Sequence, residues 1–125
     1  MPTFLIYGTF MRGQPGHGNL DGARFVEAVA TAPRYRLFEV DERWPALVED
    51  DDGVAVAAEL YELDLAHLAR LTELEPPGWA AAPVELADGR SVDGFLGDPE
   101  LRARGVDVSE HGGWAAYCAS REPGS

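Results

Sequence analysis

The chain has 125 residues, is 46% hydrophobic, and carries 22 acidic residues against 10 basic ones for a formal net charge of −12. That length suits one buried core, the composition is not that of a disordered chain, and so acidic a surface repels nucleic-acid phosphates. Every basic residue is Arg, which excludes Schiff-base chemistry and any lysine nucleophile.

Phe4-Leu5-Ile6-Tyr7 is a short apolar run that predicts a buried strand ending at Gly8-Thr9. It has neither the basic flank nor the length of a signal peptide, and no later run is long enough to span a bilayer. Arg12 to Asn19 is rich in Gly and Pro and reads as a loop. Phe25 to Ala30 and Tyr35 to Val40 read as strands separated by a turn at Pro33, and Trp44 to Val48 as another short extended piece. Glu49-Asp50-Asp51-Asp52 reads as a solvated hairpin tip, with Gly53 supplying the turn and no spacing suited to a cation loop.

Val54 to Leu63 is the next predicted strand. Asp64 then predicts a helix N-cap, and Leu65, Leu68, Leu71 and Leu74 recur at helical spacing to form its apolar face. Pro76-Pro77 forbids continuation, so Glu75 is held extended just past the helix end. Val84 to Leu86 and Ser91 to Leu96 predict a hairpin across Asp88-Gly89, and Pro99 to Tyr117 predicts a short polar helix and a glycine turn before Trp114. Together these elements predict an α+β fold: a small mixed β-barrel or strongly curled sheet with short flanking helices, in one domain over residues 1–121 and a flexible tail at 122–125.

Two environments are open to Glu75: an apolar pocket that raises its pKa and suits proton shuttling, or an exposed position at a helix C-terminus. The Tyr7-Gly8-Thr9-Phe10 segment can offer backbone N–H groups to an anion, because Gly8 has no Cβ to block approach; alone it also reads as a plain strand-to-turn glycine. On the ligand reading, a β-branched residue at position 8 is expected to damage binding more than stability. His17 reads first as a solvated loop histidine and, functionally, as a base or substrate contact. Trp44 reads first as core packing and, functionally, as pocket lining. His17, His67, His111 and Cys118 show no metal-ligand spacing, and one cysteine permits no internal disulfide.

Phe4 to Gly13 resembles the segment that opens gamma-glutamylcyclotransferase-like proteins. Trp44-Pro45-Ala46 is similar to their Tyr-Pro-Ala segment, and Glu59 to Leu63 with Leu68, Leu71, Leu74 and Glu75 matches their strand–helix–Glu register. The second half resembles one branch of that superfamily, the allophanate hydrolase C-terminal domain, through Thr31 to Leu37, Val84 to Val92, Gly94 to Leu96 and Gly112 to Tyr117. The resemblance implies a cyclotransferase with Glu75 as general acid/base, and a substrate site of Tyr7, Gly8, Thr9, Phe10, His17, Trp44 and Trp79. It implies no metal and no other cofactor. Family members usually carry an aromatic and then an Arg soon after the glutamate; here Trp79 is present without the Arg. The allophanate branch often lacks the glutamate and implies decarboxylation of a small carboxylated urea, with more weight on His17 and Tyr7; a non-catalytic binding domain is the third reading. The expected partners are a small molecule bearing carboxylate and amide groups and a second copy of the chain, with no nucleic acid and no membrane, in the cytoplasm.

Overall fold

β1 (Thr3–Ile6) lies in the middle of a mixed sheet, as its run of buried Phe4, Leu5 and Ile6 requires of a strand covered on both faces. The computed structural model describes residues 2–121, so the tail expected at 122–125 lies outside the described residues. Further strands are β2 (Arg24–Ala30), β3 (Tyr35–Val40), β4 (Trp44–Glu49), β5 (Ala57–Glu62), β6 (Trp79–Glu85), β7 (Ser91–Gly97) and β8 (Gly105–Asp107). The helices are α1 (Leu65–Glu73) and α2 (Trp114–Arg121), with 3-10 turns at His17–Leu20, Pro99–Arg104 and Ser109–His111.

The sheet runs in the order β2-β5-β1-β7-β4-β3-β8, with β6 also paired to β7. β6 takes one edge of β7 along its whole length, from Trp79 opposite Gly97 to Glu85 opposite Ser91. The other edge is therefore shared: β1 pairs in parallel at Asp93 and Gly94, and β4 in parallel at Leu96. The sheet forks there. On one branch it curls into a half-barrel, drawn together where Thr31 bridges Leu86 and where Ala32 N–H donates to the Glu85 carbonyl at 2.9 Å.

Several sequence expectations are corrected. The strand expected from Val54 starts at Ala57, because Val54 instead bridges back to Tyr35 and Val56 is tied to Thr31. The acidic stretch is not a hairpin tip: Asp50 N–H donates to the Arg34 carbonyl at 2.8 Å and folds the turn back over the start of β3. The hairpin arm expected from Val84 begins at Trp79, five residues earlier, since the Ala80-Ala81-Ala82 run has low strand propensity and is held by its ladder to β7. The region from Pro99 also holds β8, and the helix α2 begins at Trp114.

The face of α1 is corrected too. Asp64 caps it, accepting from His67 N–H at 2.7 Å, but Leu65 is 72% and Leu74 51% exposed. His67 and Leu71 are the buried pair. Buried His67 is satisfied: its Nε2 donates to the Asn19 carbonyl at 2.7 Å, joining α1 to the loop after β1.

That loop is anchored from below by Glu59 of β5, which is nearly buried. Its carboxylate accepts from Arg12 N–H at 3.1 Å, Arg12 Nε at 3.0 Å and the Tyr61 hydroxyl at 3.0 Å. The Arg12 guanidinium also lies 3.8 Å over the Phe25 ring. Burial, with the bond to Glu59, pushes the Tyr61 hydroxyl up to about 12, so it remains a donor. Glu59→Ala strips three donors of a charged acceptor and is expected to cost about 2–3 kcal/mol; urea denaturation measures the loss, and hydrogen exchange should locate the loosening in residues 9–16.

Candidate active site

The fork in the sheet opens a cavity of about 310 Å³ between the end of β1 and the start of β4. Tyr7, Gly8, Thr9 and Phe10 line it from one side, Trp44 and Pro45 from another, and Leu74 and Glu75 from the end of α1. Tyr7 and Glu75, far apart in sequence, are thereby brought to one cavity. Phe95 of β7, together with Leu5 and Ile6, lines it as well.

Each wall has a physical reason for its place. The chain turns immediately after β1: Met11 N–H donates to the Gly8 carbonyl at 3.0 Å and Gly16 N–H to the Thr9 carbonyl at 2.9 Å. Among the described residues, no protein acceptor takes the N–H groups of Gly8, Thr9 or Phe10. The Tyr7 hydroxyl donates to the Phe95 carbonyl at 2.7 Å and accepts from Leu47 N–H at 3.1 Å. Burial first, and the nearby Glu75 charge as a smaller contributor, drive its pKa well above the usual phenol range.

The reason for glycine at position 8 differs from the sequence expectation. A Cβ there would sit 2.4 Å from Pro45 Cγ. Gly8 is therefore required by packing against a rigid ring, and a side chain would harm stability as directly as binding.

Two expected site residues stand behind the lining. His17 Nδ1 donates to the Phe10 carbonyl at 2.9 Å and its ring lies 6.3 Å from that of Tyr61. Trp79 Nε1 donates to the Pro45 carbonyl at 2.9 Å. Neither is among the residues lining the cavity; each fixes one that is. Sequence reasoning did not single out Arg43, Asn19 or Phe95, which do line it. Arg43 directly precedes the Trp44-Pro45 pair, and that adjacency was the available signal.

Glu75 is mostly withdrawn from water, and this burial pushes its carboxyl up to about 7. Among the described residues no cation or hydrogen-bond donor offsets the cost. The group is thus near half-ionised at neutrality and can both take and return a proton. Among the described residues no cluster of three or more His, Cys, Asp or Glu has metal-holding geometry, and no helix is long and apolar enough to cross a membrane.

A family model described as the allophanate hydrolase C-terminal domain matches residues 2–119. No curated protein sequence matches significantly. Among solved structures, the chain is 31% identical to c4763, a uropathogenic E. coli-specific protein, over 97% of this chain and 98% of that one, with a TM-score of 0.88. It is 21% identical to Kluyveromyces lactis allophanate hydrolase with a TM-score of 0.89, covering 97% of this chain but spanning only 21% of that longer one. An AIG2-like protein (GGACT) from Mus musculus shares 30% identity over 82% of each chain, with a TM-score of 0.62.

Two stability measurements check this geometry. Gly8→Ala is expected to lose about 1–3 kcal/mol from the forced contact with Pro45, read as a lower urea midpoint at unchanged slope. For Glu75 the folded pKa lies above the unfolded value of 4.5, so the native state holds more protons between those values and stability falls as pH rises from about 4.5 to about 7. Glu75→Gln should therefore melt higher than the parent at pH 8, with the gap closing toward pH 4.5.

Proposed function

The chain belongs to the allophanate hydrolase C-terminal domain family, and from that premise, within the gamma-glutamylcyclotransferase-like superfamily, we propose that it is a cyclotransferase acting on a gamma-glutamyl amide or amine. The observation that carries this reading is Glu75: a carboxyl lifted to about 7 by burial, lining the same cavity as Gly8, Thr9 and Phe10. In the reaction the substrate's own α-amine attacks its γ-carbonyl carbon. A C–N bond closes the five-membered lactam of 5-oxoproline, and the C–N bond to the departing amine breaks. Nucleophile and electrophile belong to one molecule, so the main demand on the protein is to hold that molecule folded.

Glu75, as carboxylate, would take the proton from the ammonium that becomes the nucleophile and return it to the leaving nitrogen. The unclaimed N–H groups of Gly8, Thr9 and Phe10 would meet the oxygen on which negative charge develops. Tyr7 and Trp44 would bound the substrate laterally, while His17 and Trp79 would keep Phe10 and Pro45 in place. The apolar lining by Leu5, Ile6 and Phe95 would limit water at the acyl centre.

The family match favours a second reading, decarboxylation of a small carboxylated urea in the same cavity. There the pair to watch would be Tyr7 and His17. The two separate on one comparison. On a panel of gamma-glutamyl amines, the parent is expected to release 5-oxoproline at a rate that rises with pH through about 7, because only the Glu75 carboxylate is a base. Glu75→Gln should fold, still bind, and turn over at least roughly a hundredfold more slowly. Equal rates in parent and variant would remove Glu75 from the chemistry, and carbon dioxide release from a carboxylated urea in place of lactam formation would move the assignment to the second reading.

A further inference from the structure

The rim of the cavity carries a cation that the reading above leaves without a task. Eight of the ten arginines are paired with carboxylates. Arg43 lines the cavity and has no acidic partner among the described residues; its guanidinium lies 4.5 Å over the Trp44 ring. Neither acid just before it serves as its partner: Asp41 is paired with Arg104, and among the described residues no ion pair joins the adjacent Glu42 to Arg43.

The backbone delivering Arg43 is strained. Asp41 and Glu42 hold φ of 53° and 60°, a left-handed conformation at two successive non-glycine residues. The turn closes with Arg43 N–H donating to the Val40 carbonyl at 3.1 Å. Strain of this kind persists where surrounding contacts over-determine it, and here it sets the one unpaired guanidinium of the β3–β4 turn at the cavity.

A carboxylate-bearing ligand approaching a chain of net charge −12 is repelled at long range. A cation at the cavity mouth reverses that repulsion where binding occurs. One face of the guanidinium is occupied by Trp44, which leaves the planar N–H edge for a bidentate carboxylate.

We propose that Arg43 is the carboxylate anchor of this cavity and selects small molecules bearing a free carboxylate, holding that group at the rim while the reacting amide lies within reach of Glu75 and the Gly8–Phe10 N–H groups. The orientation of the amide rests on the cyclotransferase reading; the anchor itself does not.

The test is calorimetric titration of the whole chain with two carboxylates, 5-oxoproline and N-carbamoylglycine, each against its neutral primary amide. Parent, Arg43→Gln, Arg43→Lys and Glu75→Gln are compared, with melting temperatures as a control for folding. The parent and Glu75→Gln should prefer at least one acid over its amide by roughly tenfold or more. Arg43→Gln should erase that preference by weakening the acid roughly ten- to a hundredfold without weakening the amide, and Arg43→Lys should restore part of it. An acid preference that survives Arg43→Gln overturns the anchor, as does a parent with no preference or no binding. Arg43-dependent preference in a parent that forms no 5-oxoproline would keep the anchor and discard the cyclotransferase reading.

Discussion

The arrangement depends on one hydroxyl at a fork between strands. β6 occupies all of one edge of β7, so β1 and β4 must share the other. Two strands leaving one edge cannot both satisfy the backbone groups between them, and an unpaired buried N–H or carbonyl is costly. The Tyr7 hydroxyl fills that gap, donating to Phe95 and accepting from Leu47. Its proton is committed and its ionisation driven far up, so near neutrality the phenol acts as a fixed strut. The cavity is the space this strut holds open: β1 passes into Gly8–Phe10 on one side, β4 begins at Trp44-Pro45 on the other, and Gly8 and Pro45 meet so closely that only glycine fits.

That constraint explains what the sequence disclosed and what it withheld. Phe4 to Tyr7 was legible because an unbroken apolar run has few alternatives to a buried strand. Glu75 was legible because Pro76-Pro77 ends the helix in one place. The curled mixed sheet followed from many short strands with a late hairpin, and from the family resemblance. The fork was not legible, since parallel pairing between β1, β7 and β4 is a long-range choice that leaves no local mark. The β6 extension was hidden because Ala80-Ala81-Ala82 carries no strand preference of its own. The face of α1 was misjudged because leucines at helical spacing were weighed above a histidine, yet His67 finds a carbonyl partner and goes inside while Leu65 stays out.

Arg43 shows a different limit. Residues that need positive φ are usually announced by glycine, asparagine or aspartate; Asp41 fits that pattern, but Glu42, without a glycine, does not. The turn is fixed from outside itself, by the β3–β4 ladder that sets Val40 opposite Trp44 and by the Arg104–Asp41 pair. Position within the cavity, rather than residue type, separates Arg43 from the other arginines.

Contrast among the carboxylates gives Glu75 its meaning. Glu59 and Glu39 are also withdrawn from solvent, and each is tethered: Glu59 by Arg12 and Tyr61, Glu39 by Arg121. These are the usual terms on which a protein buries a charge. Glu75 is half-buried, on other terms. Among the described residues no cation or hydrogen-bond donor compensates it, and a rigid Pro-Pro step after it ends the helix there. Burial pushes the proton onto the group, and on the proposed reading a substrate ammonium beside the carboxylate would supply the missing counter-charge and lower its pKa. The site is therefore least stable when empty and ionised, and on the proposed reading the contact that would relieve it is the one that would start proton transfer.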